Sequence, residues 1–405
     1  MHILVLCHYY PPEVNAPASR TSEHAKIWVE SGHEVTVITC APNHPNGELY
    51  PGYRNRLYQT EIVDGVKVVR VWSWLAANEG FLPRIANYVS FAISSVLACP
   101  RVGKVDVVLS TSPQFFCGLA GAVAGSFKRA PWVLEIRDLW PESIVTVGAM
   151  KKGGAIRFLE WLEGWAYRKA DRVVALTDGF VPHISEKRGR DDVLVIKNGV
   201  DLALFSGRGE GEATKAKFGL EGRVLAAYVG THGMAHGLDT ILDAAALLRD
   251  EPGIGFLLVG DGAERARLEA RCKALSLNNV RIAGQLPKEQ MPAIWAATDI
   301  SLILLRKSDT FKTVLPSKMF EAMAMKCPIV LGVEGEAKAL LEAADAGISI
   351  EPENAEELAN AVMRLCQNPD WAEDFGRRGR AHVEENFNRT VLAGNFIFLF
   401  RSLRP

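Results

Sequence analysis

Short apolar runs alternate along this chain with stretches whose apolar positions recur every three or four residues, and the two periods separate strands from helices. His2 to Cys7, the run Gly32-His-Glu-Val-Thr-Val-Ile-Thr, Val105 to Ser110, Trp132 to Ile136, Arg172 to Leu176 and Val193 to Ile196 predict buried strands. Glu61 to Val71, with Asp64-Gly65 at its middle, predicts a hairpin. Further on, Val224 to Val229, Phe256 to Gly262, Asn279 to Pro287, Asp299 to Leu304, Pro328 to Leu331 and Gly347 to Ile350 predict a second set of strands. Helices are expected between them, among them Arg20 to Ser31, one from Leu238, and two near the end from Ala355 and Trp371. Strand and helix alternating in this way predict doubly wound α/β architecture. A chain of 405 residues exceeds one ordinary core and suits two such domains. The Gly- and Glu-rich connector Ser206 to Ala213 is the expected hinge.

The stretch Leu315-Pro316-Ser317-Lys318 to Leu331 predicts a helix that turns directly into a buried strand. Pro316 and Ser317 suit a helix start, the serine hydroxyl capping a free amide, and Pro328 ends the helix near Lys326. Lys318 and Glu321 then fall one turn apart near the positive end of the helix dipole. Free amides and an ammonium favour phosphate, and a carboxylate one turn on can accept hydrogen bonds from two adjacent hydroxyls, as on a ribose. The plainer reading is a solvated Lys-Glu pair. The loop Gly230-Thr231-His232-Gly233-Met-Ala-His236-Gly237 joins a strand to a helix, and its three glycines allow backbone amides to close on a diphosphate. Its spacing is neither Rossmann nor Walker, so an ordinary loop fits equally well. Leu305 to Val314 carries Arg306, Lys307 and Lys312, either a cationic lining or a solvated basic loop.

In an open parallel sheet, ligands bind at the carboxyl edge of the strands. Two segments of the first half belong there. One is the loop His8 to Ser19, with Tyr9 and Tyr10; the other is Glu135-Ile-Arg-Asp-Leu-Trp-Pro-Glu142, in which Arg137 and Asp138 are candidate site residues or merely each other's partners.

The run Lys318-Met-Phe-Glu-Ala-Met-Ala-Met-Lys-Cys-Pro-Ile-Val330 resembles the donor-binding segment of retaining GT-B glycosyltransferases of glycosyltransferase family 4, and segments over nearly the whole chain fit the same family. The resemblance implies two Rossmann-like domains facing across a cleft. An acceptor-side domain would span residues 1–200, exit through Ile196-Lys-Asn-Gly-Val-Asp201 and be joined by a C-terminal helix over 388–405; a donor domain would span 201–387. By the same resemblance Glu321 holds the ribose, while the family's other motif glutamate would fall at Thr313. Ala283, Gly284, Gln285 and Leu286 would meet the base, and Asn15 and Ala16 stand where a glycine pair approaches the donor phosphates. The arginine and lysine of the family's glycine loop correspond to Thr231 and His236, so Arg306 and Lys312 are expected to supply the missing charge. Arg137 stands where members often carry a histidine, beside Asp138 on the acceptor side.

Composition narrows the partners. A net charge of -1 gives no general attraction to nucleic acid, so an anionic ligand needs a local site. Seven scattered cysteines with no Cys-x-x-Cys pair suggest reduced thiols in the cytosol. The opening strand leaves no room for a secretory leader, and no uninterrupted apolar stretch is long enough to span a bilayer. Phe81 to Lys104 is the exception to a simple globular picture. Asn87, Ser90 and Ser94 keep helical spacing on one side, Ile85, Val89, Ala92, Ile93 and Val96 on the other, with Arg84, Arg101 and Lys104 at the flanks. It is either a domain helix or an interfacial helix on anionic lipid.

No Asp-x-Asp and no metal-ligand spacing occur, so no metal or other cofactor is expected. The expected activity is metal-independent, retaining transfer of an N-acetylated amino or deoxy sugar from a nucleotide-sugar, UDP-linked, to a lipid-linked saccharide at the inner face of the cell membrane. This is the chemistry of O-antigen and capsule assembly, and the details resemble N-acetylfucosamine transferases. A nucleotide-sugar 2-epimerase of the same fold and a non-catalytic nucleotide-binding subunit are the competing readings.

Overall fold

The computed structural model describes residues 1–76, 81–112, 114–142, 153–207, 209 and 211–403, without the side chains of Phe81, Leu82 and Lys288. Two compact units result: Met1–Lys197 with the chain from Arg389, and Asn198–Asn388.

The first unit is built on β1 (His2–Leu6), β2 (Glu34–Cys40), β3 (Tyr58–Val63), β4 (Val66–Val71), β5 (Val107–Thr111), β6 (Trp132–Ile136), β7 (Arg172–Ala175) and β8 (Leu194–Val195). They form one sheet in the order β3-β4-β2-β1-β5-β6-β7-β8. Only the hairpin β3-β4 is antiparallel, and it turns at Asp64 and Gly65 with φ of 49° and 78°. Strands β1, β2 and β5 to β7 are covered on both faces, which is why they read as apolar runs. Helices α1 (Ala16–Glu30), α2 (Phe81–Ala98), α3 (Phe115–Lys128), α4 (Gly154–Lys169) and α5 (Val181–Arg188) connect them. Phe91, Cys117, Ala120, Ala166 and Ile184 from α2 to α5 share one core with one face of the sheet.

The second unit has β9 (Val224–Val229), β10 (Ile254–Val259), β11 (Val280–Ala283), β12 (Ile300–Leu304), β13 (Ile329–Gly332) and β14 (Gly347–Ser349), all parallel, in the order β11-β10-β9-β12-β13-β14. Its helices are α6 (Gly211–Lys217), α7 (Asp239–Leu247), α8 (Arg265–Ala274), α9 (Met291–Ala297), α10 (Lys318–Ala324), α11 (Glu336–Ala344), α12 (Ala355–Gln367) and α13 (Pro369–Asn386). The last helix, α14 (Arg389–Ser402), belongs to the first unit. There Phe396 and Phe400 pack on Trp28 of α1, whose indole donates to the Ala393 carbonyl at 2.9 Å, and Arg389 pairs with Glu23 at 2.8 Å.

Several local expectations are corrected. The expected hinge Ser206 to Ala213 lies within the second unit, because Phe205 is buried in its core and Arg380 ties the Phe205 carbonyl at 2.7 Å; the unit boundary falls between Lys197 and Asn198. α1 begins at Ala16 rather than Arg20, since the Asn15 side chain caps it by accepting from the Ala18 amide at 2.9 Å. In α2 the polar positions Asn87 and Ser95 turn inward with Phe91, whereas Ile93 and Leu97 are exposed. α10 ends at Ala324, where Lys326 takes a φ of 57° and breaks the helical path. No described helix is long and apolar enough to cross a membrane.

Candidate functional site

Because every strand of the second sheet runs the same way, the loops leaving β9 to β13 and the start of α10 gather at one edge. β9 ends at Gly230, whose φ of 146° opens the loop Thr231 to Gly237. A Cβ on Gly230 would stand 2.9 Å from the Lys318 Nζ, so the first residue of α10 reaches directly over this glycine. The neighbouring turn after β10 closes equally tightly: a Cβ on Gly260 would fall 1.9 Å from the Gly230 carbonyl oxygen.

Lys318 is the centre of the arrangement. Its Nζ lies 3.6 Å from the ring centroid of Tyr228 on β9, buried and with no hydrogen-bond partner among the described residues. Burial pushes its pKa from an ordinary lysine's 10.5 down to about 7, and Glu321 opposes that shift. The Tyr228 hydroxyl donates to the Thr231 carbonyl at 2.8 Å and pins the loop. His232 and His236 flank the same ring at 6.1 and 5.9 Å between centroids. Both ring nitrogens of His232 and Nδ1 of His236 are buried without hydrogen-bond partners, and burial lowers the two histidines to about 4 and about 3. The edge thus holds an amine and two imidazoles that do not carry full charge, with the Lys318 amine and three of the four ring nitrogens unpartnered among the described residues. An entering anion would supply both.

Arg306 adjoins this loop: its amide donates to the Ala235 carbonyl at 2.8 Å, and its exposed side chain runs past Gly237. Gly233 and Met234 follow in the same loop, and Gly284 sits beside the Arg265 guanidinium at the exit of β11, with Gln285 exposed and Leu286 packed partly into the core. Glu321, one turn into α10, accepts the indole N–H of Trp295 of α9 at 3.0 Å. That hydrogen bond fixes the carboxylate's orientation without removing its remaining lone pairs.

Other expected site residues are placed differently. Ser317 makes no side-chain cap; the Pro316 and Ser317 carbonyls instead accept from the Met319 and Phe320 amides at 3.0 and 3.1 Å. Leu315 is core. Lys312 is engaged by Asp309 at 2.7 Å and Glu334 at 3.7 Å, so its charge is already matched, and Thr313 donates to the Thr310 carbonyl at 3.1 Å. Of the expected cations, Lys318 and Arg306 reach the glycine loop. Tyr228 and Trp295 went unnoticed in the sequence, where one is an aromatic in a buried strand and the other lies on a different helix from its partner.

In the first unit, Arg137 and Asp138 do not pair. The Arg137 guanidinium donates to the Ala16 and Pro17 carbonyls at 3.1 and 3.2 Å, strapping the start of α1 to the end of β6, and burial lowers it to about 10. Ala16 is therefore a helix residue and Asn15 its cap rather than a free loop pair. Tyr10 is buried in the core. Beneath, Arg20 and Glu135 form a buried ion pair at 2.9 Å, and Arg20 also donates to the Ile196 and Lys197 carbonyls. Asp138 lines a mostly apolar depression with Phe115, Trp140, Glu163 and Tyr167. A second, more polar depression is lined by His8, Asn43, His44, Arg84 and Asn87. Behind it the buried Glu13 accepts from the Tyr10, Asn43 and His44 amides, while burial raises its pKa to about 7.

Residues 211–382 match the family described as glycosyl transferases group 1, and residues 15–199 match the glycosyl transferase 4-like domain. A colanic acid biosynthesis glycosyl transferase, WcaI of Escherichia coli K12, is 27% identical over 382 residues, covering 91% of this chain and 93% of the relative. The alpha-D-kanosaminyltransferase of Streptomyces kanamyceticus is 28% identical over 259 residues, covering 60% of this chain and 64% of its own. Among solved structures, HepE of Anabaena in complex with UDP and glucose superposes with a TM-score of 0.75 at 18% identity, covering 100% of both chains. Sucrose-phosphate synthase of Thermosynechococcus elongatus gives 0.76 at 18%, covering 99% of this chain and 98% of the other. At such identities the structures speak for the fold, two Rossmann-like domains of the GT-B kind. With a glycosyl transferases group 1 match in the second unit, a glycosyl transferase 4-like match in the first and glycosyltransferase relatives along most of its length, the chain is a glycosyltransferase.

Proposed function

We propose that this enzyme transfers a sugar from a UDP-sugar, with retention and without a metal ion, to a lipid-linked saccharide at the inner face of the cell membrane during surface-polysaccharide assembly. The observation that carries this reading is the buried Lys318 amine, unpartnered among the described residues, against Gly230 and Tyr228 at the sheet edge. The donor diphosphate supplies the anion it lacks. Lys318 regains its proton beside the phosphate, and with Arg306 and the loop amides it stabilises the charge that builds as the sugar leaves. Glu321, oriented by the Trp295 indole, accepts from the ribose hydroxyls, and Gly284 to Leu286 border the base. Asp138 and the pockets at the strand exits of the first unit receive the acceptor. The resemblance to retaining enzymes supports retention, and the likeness to a protein named for colanic acid biosynthesis supports the polysaccharide setting. An N-acetylated amino or deoxy sugar is the proposed cargo.

A thermal-shift panel of UDP, GDP, ADP and their sugars tests the donor, because saturation to a hundred times Kd adds about 2.7 kcal/mol of stability. UDP and UDP-sugars should raise the midpoint most, and nucleotide release should rise when a lipid-linked saccharide is added. A preference for GDP or ADP sinks the donor assignment. Release indifferent to a lipid-linked acceptor sinks the acceptor assignment.

A further inference from the structure

Helices α2, α3 and α4 lie side by side over one face of the first sheet, where Ile85 of α2, Leu119 of α3 and Leu162 of α4 pack around Phe115 and Trp140. Each helix turns a second apolar pair outward, one turn apart: Ile93 and Leu97, Val123 and Phe127, Phe158 and Trp161. Every one of these six side chains is more than half exposed. Single exposed apolar residues are ordinary, but six on three neighbouring helices form a surface that water covers at a cost.

The charges around this face have one sign where it is broadest. α2 and α3 contain no acidic residue, and Arg84, Arg101, Lys104, Lys128 and Arg129 border them. Arg84 and Arg101 lie over the rings of Tyr88 and Tyr58, at 5.9 and 5.1 Å, and Lys128 donates to the Val102 and Gly103 carbonyls, so their charges are not cancelled by carboxylates. On α4 the exposed Glu160 is outnumbered by Arg157, Arg168 and Lys169.

We infer that the outer face of α2, α3 and α4 docks the first unit on the surface of an anionic lipid bilayer. Helices lying flat can sink apolar side chains to the acyl boundary while arginine and lysine reach the headgroups. A second copy of the chain is the poorer occupant, because a two-fold interface would set these cations against their own copies with no carboxylate of α2 or α3 between them. The inference rests on the lipid-linked-acceptor reading for its purpose, since a docked enzyme meets its acceptor in two dimensions; its geometry is independent of it.

Sedimentation of the full chain with phosphatidylglycerol–phosphatidylcholine vesicles, against pure phosphatidylcholine vesicles, tests the inference. The protein should pellet with the anionic vesicles and be released by salt as the screening length shortens and the headgroup attraction weakens. Leu97→Ser with Phe127→Ser and Trp161→Ser should lower the partition coefficient roughly tenfold or more, with UDP affinity unchanged because these residues lie outside the second unit. Arg84→Glu with Arg129→Glu, which leaves the apolar pairs intact, should weaken binding to anionic vesicles alone and serves if the triple variant fails to fold. Equal binding by wild type and both variants, no preference for anionic lipid, or a wild-type dimer that the triple substitution splits in place of vesicle binding would overturn the inference. Sugar transfer to a detergent-solubilised acceptor is measured in parallel: transfer without vesicle binding rejects the docking face only, and vesicle binding without transfer rejects the acceptor reading only.

Discussion

Lys318 offers the sharpest quantitative test. Its amine is held near a pKa of 7 by burial, against 10.5 for an ordinary lysine. The gap, at ~1.4 kcal/mol per unit, is about 5 kcal/mol that a phosphate can recover by restoring the charge. The neighbouring titratable groups do not mask the effect, because His232 and His236 are already neutral at pH 7 and Glu321 is a carboxylate one turn away. In the empty enzyme a depressed lysine pKa means that the folded state holds fewer protons than the unfolded chain between about 7 and 10.5. Stability from this group therefore rises with pH across that window and carries its full penalty below it. Donor binding runs the other way. Below about pH 7 the amine is already protonated and affinity is level; above it, binding must take up a proton, and affinity should fall about tenfold per pH unit. Calorimetry with UDP-glucose, whose phosphates do not titrate here, should show close to one proton taken up at about pH 8 and a Kd roughly fiftyfold weaker at pH 9 than at pH 7. Lys318→Met should abolish both the slope and the proton uptake and approach the wild type at high pH. A flat Kd profile in the wild type, with no proton uptake, would refute the buried-amine account.

The remaining predictions concern the residues around it and the frame beneath. Glu321→Gln should weaken donor binding by roughly 1.5 to 3 kcal/mol and Trp295→Phe by about 1 kcal/mol, since the second only frees the carboxylate to reorient; an unchanged Kd in Trp295→Phe beside a weakened Glu321→Gln would reduce the indole to packing. Arg306→Ala should lower kcat more than it raises the donor KM, while His236→Lys should change kcat by less than about tenfold because Lys318 and Arg306 already serve the diphosphate; the reverse ranking in steady-state kinetics would move the phosphate charge to the loop. In the first unit, Glu135→Gln strands the buried Arg20 and should cost about 3 to 5 kcal/mol in urea unfolding, much of it regained by Arg20→Met with Glu135→Leu. A loss below about 1 kcal/mol would mean that water reaches the pair.

The sequence was a good guide wherever a signal is local. Strand β9 with the Gly230 loop after it, and the Lys318 helix with β13 after it, are segments that hydrophobic period, glycine and proline reveal residue by residue, and the Asp64-Gly65 turn declares its own hairpin. It misled where a residue's partner decides its role. Lys312 and Lys318 look alike in the chain, yet one meets Asp309 and Glu334 and the other an aromatic ring with no counter-charge bonded to it. Asn15 and Ala16 look like loop residues until the Ala18 amide and the Arg137 guanidinium claim them. The amphipathic pattern of Phe81 to Lys104 was real, but Asn87 and Ser95 face the core beside Phe91 because neighbouring groups, such as the Trp74 carbonyl that accepts from Asn87 at 2.6 Å, satisfy them there.

By itself, then, the order of apolar and polar residues determined two α/β domains built on parallel strands, because period and turn chemistry act over a few residues. Only the tertiary structure decided which cations are free, which carboxylate is held and which helices present an apolar face. Charge and desolvation depend on what the fold brings within a few ångströms, as when Trp295 reaches Glu321 from another helix and Tyr228 meets Lys318 across the sheet edge.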